Sequence, residues 1–140
     1  MDNEREELRR QRLAAEGDVQ YEDGRTGRRI LVVDDNHDSA ESLALLLELQ
    51  GHDVRTAFTG PAAIETASAF RPEIVLLDIG LPGMDGYEVA RRLRADLGRV
   101  RLIALTGYGR DEDRDRSREA GFDHHLVKPV DLEALKRMLG

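Results

Sequence analysis

Ile74-Val75-Leu76-Leu77-Asp78-Ile79-Gly80-Leu81-Pro82-Gly83-Met84-Asp85-Gly86 is the stretch that decides the fold. Its first four residues are apolar without alternation, which predicts a short strand buried on both faces. An acid closes the run, and a turn rich in Gly and Pro follows. Val89, Ala90, Leu93 and Leu97 then recur at helical spacing. Strand, turn and helix in this order make one βα unit.

The same unit repeats on either side. Apolar runs lie at Ile30–Val33, near Val54, at Leu102–Leu105 and at Leu126–Val127. Between them, Ala40, Leu43, Ala44 and Leu47 mark a helix that Asp38 or Ser39 is placed to cap and Gly51 to end. Pro61 fits the first turn of a helix carrying Ala63, Ile64 and Ala67. Leu132, Leu135, Met138 and Leu139 mark a last helix after Asp131 as cap. Strand–helix alternation repeated five times implies an α/β domain, a parallel sheet with helices on both faces.

One helix breaks the pattern. Asp111–Ala120 has almost no apolar face, and Asp111 with Asp115 and Arg114 with Arg118 are like-charge pairs one turn apart. Glu112 with Arg116 offsets them in part. This is expected to be the least stable helix, either a merely solvated face or a soft element that shifts on activation.

Residues Met1–Gly27 form a charged tail before a domain at 28–140. A short helix around Glu4–Glu16 has only Leu8, Leu13, Ala14 and Ala15 for an apolar stripe, too little to stand alone. The tail is read as disordered or loosely helical, with a coupling or dimerisation segment as the other reading. The 140 residues fit one domain and leave no room for a second. No apolar run approaches the roughly 20 residues of a membrane span, and no signal pattern opens the chain. The chain lacks cysteine, which excludes disulfides and thiolate metal sites and fits a cytoplasmic protein. Its net charge of −7 argues against nucleic acid as the main partner.

Parallel strands all point one way, so the residues at their C-terminal ends gather on one edge of the sheet. Asp34 and Asp35 close the first strand, Asp78 the third, Thr106 the fourth and Lys128 the fifth. Two unit charges 4 Å apart repel by about 4 kcal/mol at an effective dielectric near 20, so three carboxylates require a compensating cation. An all-oxygen site suits Mg²⁺, and Mn²⁺ could replace it. His37 is the only neighbouring imidazole, which disfavours zinc.

Ile30-Leu31-Val32-Val33-Asp34-Asp35-Asn36, the Ile74–Gly86 stretch, Ala104-Leu105-Thr106-Gly107 and Lys128-Pro129 together resemble response regulator receiver domains of two-component signalling, over about Arg28 to Leu139. The resemblance implies a cytoplasmic bacterial phosphorelay protein with a flavodoxin-like, doubly wound, five-stranded parallel sheet of order 2-1-3-4-5. That order puts the first and fourth strands about 4.8 Å from the third, and the fifth about 10 Å away, within reach of a lysine.

The implied roles follow residue by residue. Asp78 is the phosphoacceptor and attacks the phosphohistidine of a histidine kinase or histidine phosphotransfer protein. Asp35, Asp78 and the Gly80 carbonyl bind Mg²⁺ directly, and Asp34 acts through a metal-bound water. Lys128 neutralises charge on the moving phosphoryl group, and Thr106 donates to it once it is in place. Pro129 follows a cis peptide that aims Lys128 into the pocket. Gly83 and Gly86 suit the tight loop, with Met84 and Asp85 filling it. The output is a change in the surface of the fourth helix, fifth strand and fifth helix, read by a downstream target protein.

Several positions depart from the family's pattern. Gly80 offers no side chain to orient hydrolytic water, and Tyr108 could shield the phosphoryl group, so slow self-dephosphorylation is expected. The switch position, usually Tyr or Phe, is His125; it swings inward with Thr106 or is a passive surface histidine. His37, His52 and His124 read as ordinary loop or strand-edge residues. Ala104-Leu105-Thr106-Gly107-Tyr108-Gly109 resembles receivers of hybrid histidine kinases, which leaves an excised and a free-standing domain both open.

Two other functions compete. An aspartyl-nucleophile phosphohydrolase would carry its nucleophile after the first strand with a second acid two residues on, whereas here the first strand ends in adjacent acids. A pseudo-receiver that binds without being phosphorylated would have a broken pocket, and all five pocket residues are present.

Overall fold

In a computed structural model, residues 27–107 and 114–139 are described. The strands are β1 (Arg29–Val33), β2 (Asp53–Ala57), β3 (Ile74–Asp78), β4 (Arg101–Thr106) and β5 (His124–Val127). The helices are α1 (His37–Leu49), α2 (Gly60–Phe70), α3 (Gly86–Leu97), α4 (Arg114–Ala120) and α5 (Leu132–Leu139). Every strand pair is parallel and the order is β2-β1-β3-β4-β5, as the family resemblance implied. The 1–26 segment, Tyr108 and the first residues of the helix expected at Asp111–Ala120 lie outside the described residues, as do that helix's like-charge pairs.

β3 is buried at every position, and β1 and β4 at all but their first residues. Side chains alternate between the two faces of the sheet. Leu31, Val33, Val75, Leu77, Leu102 and Ala104 enter one core with α2 and α3. Ile30, Val32, Ile74, Leu76, Ile103 and Leu105 enter the other with α1 and α5. Each fully buried Leu, Ile or Val stabilises by roughly 1.5–3 kcal/mol before entropy is counted. An unalternating apolar run is what a strand between two cores requires.

Helix starts follow local chemistry with one correction. The N-cap of α1 is Asn36, whose side chain accepts from the Ser39 N–H at 3.0 Å, and not Asp38 or Ser39. His37, Asp38 and Ser39 lie inside the first turn. The cap side chain must sit outside the turn whose N–H groups it accepts. Gly51 follows the end of α1 at a φ of 98°, as a terminating glycine should. Pro61 lies in the first turn of α2 behind Thr59 as cap. Asp131 accepts from the Glu133 N–H at the start of α5. In α4 the buried residues are Ser117 and Ala120, in keeping with its sparse apolar pattern.

His52 lies at the edge of β2, as expected, but it is sealed from solvent. It is 1% exposed, and its Nδ1 accepts from the Arg28 N–H at 3.0 Å. Burial, and secondarily the Arg28 charge, lower its pKa to about 4, against a smaller opposing effect of Glu73. A polar residue between Gly51 and Asp53 reads as loop in one dimension, and only the fold closes β1 over it. Arg94 ties the far side of the domain together. It donates to the carbonyls of Gly98, Val100 and Gly121 and pairs with Asp123 at 2.9 Å. No helix among the described residues is long and apolar enough to cross a membrane.

Candidate functional site

Register brings the strand ends together. Val33 lies beside Leu77, Asp78 beside Leu105 and Thr106 beside Val127. Asp34, one residue past β1, therefore adjoins Asp78 at the end of β3. Lys128, one residue past β5, continues the ladder through its N–H to the Thr106 carbonyl at 2.7 Å. All five predicted residues reach one rim.

The Lys128 ammonium stands between two carboxylates, 2.7 Å from Asp34 Oδ2 and 2.9 Å from Asp78 Oδ2. Asp34 and Asp78 are buried, and the lysine is about one-third exposed at its side chain. Burial works against the ammonium. Its hydrogen bonds to Asp34 and Asp78, reinforced by their charges, outweigh that and hold its pKa above the ordinary lysine value. The remaining carboxylate oxygens are also engaged: Asp34 Oδ1 accepts from the Asn36 N–H at 3.0 Å and Asp78 Oδ1 from the Gly80 N–H at 2.8 Å. The Lys128–Pro129 peptide is cis.

Asp35 is exposed on the rim. One carboxylate oxygen from each of Asp34, Asp35 and Asp78 falls within 4.8 Å of the others, so the trio could hold a metal ion. The donor set is all oxygen, which suits a hard divalent cation. Thr106 is buried, and its hydroxyl faces the Leu126 carbonyl at 3.5 Å. A cleft of about 510 Å³ opens beside Asp34 and Lys128, between α1 and the start of α5, with Ser39, Leu43, Leu46 and Val130 in its walls.

The turn after Asp78 is built as its glycines suggest. Gly83 has a φ of 82°. A Cβ at Gly86 would stand 2.7 Å from Ile79 Cα and 3.1 Å from the Asp78 carbonyl oxygen. Asp85 does more than fill the loop: it is the N-cap of α3, its Oδ1 accepting from the Tyr87 N–H at 2.9 Å.

His125 is half-buried in β5 with its ring centroid 6.1 Å from that of Phe122, so it is not a fully exposed surface residue. Alternation along β5 explains the difference, since Leu126 goes to the α1–α5 core and its neighbour must face the other way. His124 is exposed. His37 is exposed and stacks on Phe58 with centroids 3.6 Å apart. Sequence reasoning missed Arg116, whose guanidinium reaches Asp85 from α4 at 2.7 Å. Nothing in a run of alternating charges singles out one arginine.

Residues 30–140 match the family described as response regulator receiver domain. The transcriptional regulatory protein PrrA of Mycobacterium tuberculosis is 41% identical over 112 residues, which are 80% of this chain and 48% of that protein. The DNA-binding response regulator MtrA of Mycobacterium leprae is 41% identical over 102 residues, 73% of this chain and 45% of that protein. The chain spans about half the length of the curated relatives it matches. Among solved structures, a CheY-like receiver domain protein from Methanospirillum hungatei aligns with a TM-score of 0.74 at 32% identity, over 81% of this chain and 94% of that one. A response regulator from Burkholderia pseudomallei, solved with a phosphorylated aspartic acid, a calcium ion and citrate, aligns with a TM-score of 0.75 at 30% identity, over 81% of this chain and 66% of that one.

Proposed function

The chain belongs to the response regulator receiver domain family, and from that premise we propose that Asp78 accepts a phosphoryl group from the phosphohistidine of a partner histidine kinase or histidine phosphotransfer protein. Residues 28–140 are the receiver in this reading and 1–27 a tail. The observation that carries it is the Lys128 ammonium held between the Asp34 and Asp78 carboxylates at the rim where Asp35 and Thr106 also end.

A carboxylate oxygen of Asp78 forms the new bond to phosphorus as the phosphorus–nitrogen bond breaks, and the imidazole keeps the electron pair. Lys128 neutralises charge on the moving group, and the Gly80 N–H and Lys128 hold the carboxylate in a fixed orientation before attack. Thr106 turns its hydroxyl from the Leu126 carbonyl, a long contact, to the bound phosphoryl group. Asp34, Asp35, Asp78 and the Gly80 carbonyl would hold Mg²⁺ or Mn²⁺, which supplies the positive charge that draws the phosphoryl oxygens to the acceptor. The cleft beside Asp34 gives a phosphodonor helix a place to approach. The chain is then a phosphoacceptor that assists its own loading and unloading, and not an enzyme acting on free substrates. The surface of α4, β5 and α5 is the output, with His125 its inner residue, read by a target protein. Gly80 and Tyr108 slow self-dephosphorylation.

Incubation with acetyl phosphate and Mg²⁺ tests this. One acid-stable, base-labile adduct is expected on a peptide containing Asp78, and none in Asp78→Asn. A folded chain that forms no adduct, or that turns over generic phosphomonoesters many times, would overturn the proposal in favour of a pseudo-receiver or a phosphohydrolase.

A further inference from the structure

We propose that Arg116 is a positioning residue of the phosphoacceptor turn, holding α4 to the backbone that carries Asp78. This rests on the phosphoacceptor reading above and adds to it a residue outside the pocket. The guanidinium lies 2.7 Å from Asp85 Oδ2 and stands over the Tyr87 ring, 4.2 Å from its centroid. Asp85 and Tyr87 are the two members of the α3 cap, joined through Asp85 Oδ1 and the Tyr87 N–H. One cation therefore grips both halves of a single cap.

The cap in turn rests on the acceptor turn. Gly86, between Asp85 and Tyr87, approaches Ile79 so closely that an added Cβ would lie 2.7 Å from its Cα and 2.8 Å from its carbonyl oxygen. No side chain intervenes to absorb movement. A shift of the cap is therefore a shift of Ile79 and Gly80, and the Gly80 N–H is the group that orients Asp78. On the other side, the described part of α4 meets the core through one apolar residue, Ala120, at its C-terminal end. The inward Ser117 is fully buried with its hydroxyl lacking a hydrogen-bond partner among the described residues, and the Asp115–Arg118 pair at 4.0 Å is internal to the helix. The contacts run unbroken from α4 through Arg116, the cap and Gly86 to the turn beside Asp78.

Magnesium binding by the full-length chain reads this out with a sign that separates two causes. Losing a positive charge near a cation site tightens Mg²⁺ binding if the effect is electrostatic, although an exposed charge is strongly screened at about 0.15 M salt. Losing a positioning contact loosens it. Arg116→Gln is expected to weaken Mg²⁺ binding about three- to fivefold, the range that one exposed ion pair with a cation–π contact supports. Asp85→Asn keeps the cap oxygen and drops the ion pair, so it should weaken binding similarly. The double variant should be no weaker than either single one. Arg116→Lys should bind within about twofold of the parent. Amide exchange at Gly80 and Tyr87 should speed up in Arg116→Gln and Asp85→Asn and not in Arg116→Lys.

Unchanged or tighter Mg²⁺ binding in both Arg116→Gln and Asp85→Asn, with parental exchange at Gly80, overturns the assignment. If Arg116→Gln fails to fold, Asp85→Asn decides alone. A parent chain that forms no Asp78 adduct indicts the phosphoacceptor reading instead, since adduct formation in the parent does not depend on what Arg116 does.

Discussion

Replacing Lys128 by Met removes the ammonium and keeps most of the apolar stem, so it isolates the charge at the centre of the site. The parent lysine makes two charge-assisted hydrogen bonds, at 2.7 and 2.9 Å, to carboxylates that are almost fully buried. Bonds to charged groups contribute about 1.5–3 kcal/mol each. About one-third exposure of the lysine side chain calls for a discount, which the repulsion left uncompensated among the acids partly offsets. Without metal, the variant should lose about 2–3 kcal/mol, or roughly 8–12 °C in Tm for a domain of this size.

Thermal melting followed by circular dichroism in chelator measures this loss. Repeating it in Mg²⁺ should narrow the gap between variant and parent, because a divalent ion among Asp34, Asp35 and Asp78 supplies the compensation that the ammonium no longer does. The pH dependence carries its own sign. The folded pKa of Lys128 is raised above 10.5, so its contribution is fully present below the unfolded value and is lost as pH rises through the folded one. The gap should hold at neutral pH and close in strong alkali. A metal-free variant melting within about 2 °C of the parent, or equal Mg²⁺ stabilisation of both, would refute the account of charge compensation.

Two other expectations concern residues away from that lysine. His52 titrates near 6.5 when unfolded and near 4 when folded, so stability is present above about pH 6.5 and falls as pH drops towards 4. Denaturant unfolding at pH 7 and pH 4 should show about 2–3 kcal/mol more loss in the parent than in His52→Asn, whose amide oxygen can still accept from the Arg28 N–H. Equal losses would mean that the imidazole is not the group responsible. By the family resemblance, Gly80→Asn and Tyr108→Glu each put an amide or carboxylate at a position expected to flank hydrolytic water, and each should shorten the aspartyl-phosphate lifetime severalfold by phosphate release. Lifetimes unchanged in both would remove the basis for slow self-dephosphorylation.

What is legible in this sequence depends on the range of the interactions involved. Ile30–Val33, Ile74–Leu77 and Leu102–Leu105 announced their burial because a strand between two cores has no polar face to alternate. The cap of α1 lies two or three residues before the expected Asp38 or Ser39, since Asn36, Asp38 and Ser39 are all capping types and only backbone geometry selects among them. The sequence is silent on the burial of His52 and leaves His125 between an inward and a surface position for a different reason. Their burial is set by β1 closing over one and by Phe122 meeting the other, contacts between residues that local pattern does not relate.

Sequence by itself determined the alternation of strands and helices and the chemistry at each strand end: acids after β1 and β3, a hydroxyl on β4, an ammonium after β5. Those follow from local pattern, since hydrophobic periodicity and turn chemistry are written in neighbouring residues. Tertiary structure alone decided that Lys128 bridges Asp34 and Asp78, that His52 is sealed, and that Arg116 clasps the cap of α3. Each of these depends on strand register and helix placement, which are fixed by the packing of two cores at once and not by any one segment.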